Sequence, residues 1–215
     1  MTIKHHPTDQ TLAAYAAGTL DEAKALVVAT HVSLCPQCRQ AAAAFESVAG
    51  EMLQALPPAP MHADALTKTL ARLEADAAPA APVPATARDD DDIRLPAPLA
   101  AYDRKPWRWL GRGIQFCAVD VPAGPDGRVF LLKAEPGIRL PHHKHTGAEW
   151  TCVIQGAFSH AGGHFGAGDF DEADETVEHH PIVEAGEVCI CLVALQGKVM
   201  LQGWAGRLLQ PLLRF

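Results

Sequence analysis

The sequence predicts an α+β protein in two parts, a small all-α helical bundle followed by an all-β sandwich or barrel. Three observations carry this prediction. Apolar residues recur at helical spacing up to about residue 76, a proline-rich segment interrupts the pattern, and from Leu99 on short apolar runs alternate with glycine and proline turns. We therefore divide the 215 residues into a helical domain at 1–76, a linker at 77–98 and a β domain at 99–215.

The first two predicted helices have clear boundary signals. Thr8 can cap the first helix and Gly18 can stop it. Thr19 and Glu22 have the spacing of a capping box, which predicts that a second helix opens there and runs to Leu34.

Two further helices are predicted before the linker. Pro36 suits the first turn of a third helix, which extends to about Gln54. After a proline break, a fourth helix at 64–76 is amphipathic but loosely tethered, so its apolar stripe needs the bundle or a partner to cover it. The stripe consists of Leu66, Leu70 and Leu73.

The linker is predicted from its composition. Eight of the 17 prolines fall between Pro57 and Pro98, and residues 77–92 have almost no large apolar side chains. Such a segment cannot bury enough surface to offset its chain entropy, so we expect it to be extended and the two parts to fold independently.

The β domain is predicted to be antiparallel. Its apolar runs are short, turn signals separate them every 8–12 residues, and nothing between them resembles a crossover helix. The runs are GIQFCAV, VFLLKAE, EWTCVIQG, VCICLVAL and VMLQGW.

Charge and hydropathy exclude several classes of function. The net charge is -7 and the pI is near 5.8, so we expect neither direct nucleic-acid binding nor attraction to anionic lipid. The sequence has no apolar run long enough to cross a membrane and its first residues lack a signal-peptide core, which predicts a cytoplasmic protein. The six cysteines are then metal ligands, redox sensors or small core residues rather than disulfides.

The first candidate metal group is His31-x3-Cys35-x2-Cys38. His31 and Cys35 are four residues apart on one helical face, and Cys38 is one turn into the next helix, so the three can converge. A structural zinc site takes four ligands, and His6 or His5 can supply the last one. The alternatives are a redox pair of cysteines, or cysteines that only pack.

The second candidate group is Gly137-x5-His143-x-His145-x3-Glu149-x6-Gly156. The two histidines alternate along a strand and share a face, which Glu149 can rejoin after a short turn. A fourth ligand, His179 or His180, would come from a later strand, and the set leaves a divalent ion with an open position. The alternative is a surface-exposed cluster of histidines.

Several other polar residues are given no metal. The remaining histidines are interpreted as ordinary polar or surface residues, and Asp89 to Asp92 as a solvated patch. Cys189 and Cys191 alternate on one strand and so face the same way, either packing or sensing oxidants. The histidines interpreted as ordinary polar or surface residues are His5, His62, His142, His160 and His164.

The second metal group resembles the first motif of the cupins, which are double-stranded β-helix or jelly-roll barrels. Gly168 and Asp169, followed by His179, resemble the second cupin motif. Gly166 stands where cupins usually have proline, and Val183 where an asparagine often follows, so the outer pocket departs from the pattern.

The N-terminal part resembles the zinc-binding anti-sigma domain, and the whole chain is similar to the ChrR-type anti-sigma factors. The resemblance implies two zinc ions per chain, one in each domain. It also implies a cytoplasmic repressor that binds a sigma factor of the extracytoplasmic-function group and releases it under singlet oxygen or related oxidative stress. The implied zinc ligands are His6, His31, Cys35 and Cys38 in the helical domain, and His143, His145, Glu149 and His179 in the cupin.

Two rival functions remain open on the sequence. A cupin with three histidines and one glutamate can hold Fe²⁺ for O₂ chemistry, or another metal for isomerisation or hydrolysis, although no further acid-base pair is assignable. A metal-dependent binding module without a sigma partner would also keep both metal groups. We expect no catalysis, and the cupin is a candidate surface for a homodimer.

Overall fold

The computed structural model describes residues 2–75, 93–122, 127–176 and 178–201. Most of the predicted linker and the end of the predicted β domain lie outside these ranges. Within them are five helices: α1 (Asp9–Ala16), α2 (Glu22–Leu34), α3 (Pro36–Gln54), α4 (Ala65–Ala75) and the short α5 (Ala97–Ala100). The four predicted helices are therefore present, and α5 is an addition.

Local chemistry explains where α1 and α2 begin and end. The Thr8 side chain accepts a hydrogen bond from the Thr11 amide, as predicted, and Gly18 at φ +66° ends the first helix. The capping box at Thr19 was a wrong prediction. Asp21 caps α2 by accepting from the amide of Lys24, and the Thr19 hydroxyl donates to the carbonyl of Ala14 instead.

The bounds of α3 and α4 agree more closely with those predicted from the sequence. Pro36 occupies the first turn of α3, where its missing amide hydrogen costs nothing, and α3 ends at Gln54 as expected. Helix α4 lies within the predicted 64–76, and its three leucines are exposed.

Twelve strands follow within the described ranges, in three antiparallel sheets that give the cupin-like fold. The large sheet has the order β1-β2-β3-β11-β5-β8, with β1 (Arg108–Gly111), β2 (Ile114–Val119), β3 (Gly127–Ala134), β11 (Cys189–Gln196), β5 (Glu149–Gln155) and β8 (Phe170–Ala173). A second sheet joins β10 (Ile182–Val183), β6 (Ala157–His160) and β7 (Gly163–Gly166). A third joins β12 (Val199–Leu201), β4 (His143–His145) and β9 (Glu178–His179).

The centre of the large sheet is buried on both faces, as β11 shows. Its residues alternate between two apolar cores, so Cys189 and Cys191 pack with Val153 while Ile190 and Leu192 pack on the opposite side. The core that contains Cys189 and Cys191 fills the interior of the barrel, and the core that contains Ile190 and Leu192 lies under the helices. Both cysteines thus lie in the barrel core, with their sulfur atoms 3.7 Å apart, which settles the face they share.

The helices pack against the outer face of the large sheet. One continuous core contains Leu26 and Val27 of α2 together with Leu131, Trp150 and Leu192 of the sheet. Independent folding of the two parts, expected from the linker, stays a prediction. The structure shows that the two parts nevertheless share a core, because α2 is covered on the side opposite its bundle as well.

The end of the predicted linker also belongs to this core. Leu99 of α5 is fully buried, and Ile93 and Leu95 pack against the same cluster. A hydrogen bond also joins the region after α5 to α2, since the Tyr102 hydroxyl donates to the carboxylate of Glu22. Among the described residues, no helix combines the length and apolar character needed to span a membrane.

Candidate metal centres

The helical metal group forms where α2 meets α3. His31 lies in the last turn of α2 and Cys38 in the first turn of α3. Between them, Cys35 is both the C-cap of α2 and the N-cap of α3. His6 approaches from the extended segment before α1. All but His6 are almost completely buried, so this group is shielded from water.

The distances within this group fit a tetrahedral zinc ion. His31 Nε2 lies 3.2 Å from Cys38 Sγ, and His6 Nδ1 lies 3.3 Å from Cys38 Sγ and 3.5 Å from Cys35 Sγ. Zn–S bonds of about 2.3 Å and Zn–N bonds of about 2.0 to 2.1 Å place neighbouring ligand atoms roughly 3.3 to 3.8 Å apart. The sequence left His5 and His6 open, and the structure brings His6 into the group.

Burial makes this group depend on a cation. Loss of solvent lowers the pKa of His31 to about 4, so its ring is neutral at physiological pH and can act as a ligand. Burial, reinforced by the neighbouring Cys35, raises the pKa of Cys38 to about 12. A thiolate therefore needs a positive charge here, which a bound zinc ion would supply.

The cupin half supplies a hydrogen-bond partner for this group. His31 Nδ1 lies 2.8 Å from the carbonyl oxygen of Gly168, and because a carbonyl can only accept, Nδ1 carries the proton. This leaves Nε2, which faces Cys38, as the nitrogen available to a metal ion.

The second metal group lies on β4 and β5. His143 and His145 are buried, with ring centroids 4.8 Å apart, and His145 Nε2 lies 3.3 Å from a carboxylate oxygen of Glu149. His143 Nδ1 donates to the carbonyl of Pro141 at 2.7 Å, which leaves Nε2 as the nitrogen available to a metal ion. Within this group, as within the helical one, ligand atoms lie no more than 4.8 Å apart.

His179 can be placed only by its backbone. In the antiparallel pair of β4 and β9, His143 is directly opposite His179. The side chain of His179 is outside the described part of the structure, so its role as fourth ligand stays a prediction.

Electrostatics in the barrel also favour a bound cation. Burial, with a contribution from the charge of Asp171, raises the pKa of Glu149 to about 8. Burial lowers the pKa of His143, which keeps its ring neutral. A divalent ion would compensate the buried carboxylate and use neutral imidazoles as ligands, so the residues fit a metal.

One pair near this group was missed by the sequence reasoning. His160 was interpreted as an ordinary polar residue, but its side chain is 5% exposed and its Nε2 lies 3.0 Å from a carboxylate oxygen of Asp171. The two residues lie on β6 and β8 of different sheets. The available signal was the period of two that places Asp169 and Asp171 on one face of a strand.

Comparisons with known proteins agree with this architecture. The ChrR Cupin-like domain family matches residues 98–198. The chain is 41% identical to the Anti-sigma-E factor ChrR of Cereibacter sphaeroides over 219 aligned positions, which cover 100% of both chains.

A solved structure matches nearly as much of the chain. The crystal structure of Rhodobacter sphaeroides SigE in complex with the anti-sigma ChrR gives a TM-score of 0.75 at 39% identity. The match covers 91% of this chain and 100% of the matched chain. With its helical and cupin halves both accounted for, the chain belongs to the ChrR family of anti-sigma factors.

Proposed function

We propose that this protein is a cytoplasmic anti-sigma factor that binds a sigma factor of the extracytoplasmic-function group and keeps it from RNA polymerase. The observation that carries the proposal is the full-length match to the Anti-sigma-E factor ChrR, together with the match over 91% of this chain to the anti-sigma ChrR that was solved in complex with SigE. The proposed function is non-enzymatic and involves no direct contact with DNA.

The sigma factor is proposed to cover an apolar surface on the last turns of α3, the loop after it and α4. These side chains are at least half exposed, which is unfavourable for apolar groups unless a partner covers them. We call this set the α3–α4 apolar surface, and it consists of Val48, Met52, Leu53, Leu56, Met61, Leu66, Leu70 and Leu73.

We propose two zinc ions per chain, one in each metal group. The four-ligand set of the helical group offers two thiolates and two imidazoles, which neutralise Zn²⁺ and close its coordination sphere. When bound, this ion would supply structural cross-linking between the segment before α1, α2 and α3. The cupin ion would have His143, His145 and Glu149 as ligands, with His179 proposed as the fourth.

The cupin half is proposed to sense singlet oxygen or related oxidative stress. Its metal group lies on β4 and β5, on other elements than the α3–α4 apolar surface, so a change there would reach the helices through the contacts between the two halves. We propose residues 1–76 as the sigma-binding domain, 99–215 as the sensing domain and 77–98 as their connection.

The direct test is co-expression of the full chain with the sigma factor encoded in the same genome. We expect a stable complex on size-exclusion chromatography and repression of a sigma-dependent promoter in a reporter strain. A chain that neither captures the sigma factor nor lowers reporter output would contradict the proposal. Turnover of a substrate by the Fe²⁺-loaded chain would favour the enzyme alternative instead.

A cupin variant separates sensing from repression. Glu149→Gln is nearly isosteric but removes the carboxylate charge, so the cupin group should lose its metal while the α3–α4 apolar surface stays intact. We expect one metal ion per chain instead of two by elemental analysis, unchanged sigma binding and a weaker reporter response to singlet oxygen. Glu184→Gln, on a glutamate that accepts from the Ser159 hydroxyl, is the matched control.

A full oxidant response from a Glu149→Gln chain that has lost the cupin metal would contradict the sensing role. It would leave the anti-sigma function in place, because repression is measured separately.

A further inference from the structure

The cupin half contacts the helical metal group through one short hairpin, residues 166–170, between β7 and β8. Asp169 is the central residue of this contact and is almost completely buried. One of its carboxylate oxygens accepts from the amides of Lys4 at 2.6 Å and His5 at 3.0 Å, and the other accepts from the amide of Gly166 at 2.8 Å. A single side chain therefore joins the hairpin to the segment that carries His6.

That segment is held on the cupin by further contacts. The amide of Phe170 donates to the carbonyl of His5 at 3.1 Å, and the His5 ring lies on Phe165 with centroids 4.2 Å apart. Three hydrogen bonds thus fix the backbone of residues 4 and 5: both amides donate, and the carbonyl of His5 accepts. His6 follows at once, and its position over Cys35 and Cys38 is set by this attachment.

The same hairpin orients a second proposed zinc ligand. The carbonyl of Gly168 accepts the Nδ1 proton of His31, as described above. Gly168 has φ +90°, and a Cβ atom built on it would lie 2.6 Å from Ile3 Cδ1. Only glycine combines this backbone conformation with so close an approach of the N-terminal segment.

The hairpin is also anchored to the barrel. The amide of Gly168 donates to the carbonyl of Val153 at 2.8 Å, and the amide of Val153 donates to the carbonyl of Asp169 at 3.0 Å. Val153 belongs to β5, the strand that begins at the cupin ligand candidate Glu149. The ring of His31 and the backbone next to His6 are therefore aligned by a rigid strand of the other half.

We propose that the hairpin at residues 166–170 is part of the helical zinc centre, so that the strength of zinc binding there depends on docking of the cupin. The inference rests on the zinc proposed for that centre. Asp169 is a positioning residue, since it holds the segment of His6 and touches no ligand atom of the group. Partners that orient metal ligands change metal affinity about 10- to 100-fold when they are removed.

The test uses the full chain with Co²⁺ in place of zinc. Charge transfer from thiolates to Co²⁺ gives a near-ultraviolet band that reports the helical centre alone, because the cupin group has no cysteine ligand. Asp169→Asn weakens the attachment without changing side-chain size. We expect the variant to lose this band to a competing chelator at least about tenfold faster than the unsubstituted chain, and to show altered visible bands from a changed ligand geometry.

Glu172→Gln is the matched control. Glu172 also connects the cupin to the helical half, accepting from the Thr11 hydroxyl at 2.8 Å and the Thr8 amide at 3.3 Å, but it neither holds the segment before His6 nor contacts His31. The same carboxylate-to-amide change should therefore leave the rate of Co²⁺ loss within about threefold. A second variant, Gly168→Ala, separates the hairpin from Ile3 without altering charge and should also speed the loss.

The outcomes separate the two levels of the proposal. If Asp169→Asn and Gly168→Ala chains retain Co²⁺ as long as the Glu172→Gln chain, the inference about the hairpin is overturned while the zinc centre stands. If the unsubstituted chain shows no thiolate band, the zinc proposal itself fails. A faster loss in both hairpin variants, with the melting of the β domain unchanged by circular dichroism, supports the coupling.

Discussion

Replacing Cys35 or Cys38 with serine is expected to unfold the helical half and free the sigma factor. Serine offers no thiolate, so the metal group would lose a ligand and leave the remaining groups buried without the ion that compensates them. Structural zinc ions contribute roughly 10 kcal/mol or more to the folding of small domains. We expect loss of one zinc ion per chain, loss of helical circular dichroism and full output from a sigma-dependent reporter.

Cys117→Ser is the matched control for this experiment. Cys117 is equally buried, but its sulfur donates to the carbonyl of Lys105 at 2.9 Å, a hydrogen bond that a serine hydroxyl can also make. That variant should keep both metal ions and repress normally. Repression by a zinc-free chain with both Cys35 and Cys38 replaced would refute the structural role of the centre.

The second large effect is expected from the leucines of α4. Replacing Leu66, Leu70 and Leu73 together with glutamine keeps good helix formers, and the three side chains are already 50 to 68% exposed, so the free chain should lose little stability. Covering a leucine contributes roughly 1.5 to 3 kcal/mol. The triple variant should therefore bind the sigma factor at least about 100-fold more weakly by calorimetric titration, since about 1.4 kcal/mol is a factor of ten.

Ala71→Gln provides the comparison on the same helix. At about 100° per residue, position 71 lies roughly 130° from the centre of the leucine stripe, so this change adds the same side chain on another face. It should leave the affinity for the sigma factor nearly unchanged. Equal affinities for the triple variant and the Ala71→Gln variant would remove α4 from the proposed interface.

Much of the helical half could be predicted from sequence because its signals are local. Gly18 can adopt the positive φ that ends α1, and Pro36 has a fixed φ that suits the first turn of α3. The four-residue spacing of His31 and Cys35 places them on one helical face whatever surrounds them. The cap of α2 was misplaced because Thr19 and Asp21 are both suitable caps. Only the hydrogen bond from Thr19 to the preceding helix decides between them.

The docking of the two halves could not be predicted because it depends on contacts between residues far apart in the chain. Composition describes the linker alone and is silent about the surfaces on either side of it. One sequence signal was available: the apolar side chains of α2 occupy more than one face, as Leu26, Val27 and Val28 show. A helix that is apolar on several sides is buried on several sides, here by its bundle and by the sheet.

Because the N-terminal segment covers strand β8, we expect the cupin half to behave differently when the helical half is removed. Strand β8 is an edge strand of the six-stranded sheet. The segment around His5 lies along this edge, and the carbonyl of His5 accepts a hydrogen bond from the amide of Phe170. Cutting the chain before residue 93 would strip this segment away, together with the helices that cover the outer apolar face around Leu131 and Trp150. An unpaired strand next to a large apolar face is a template for pairing between molecules, so the isolated cupin should aggregate. In the intact chain, the helical half thus also protects the cupin half from aggregation.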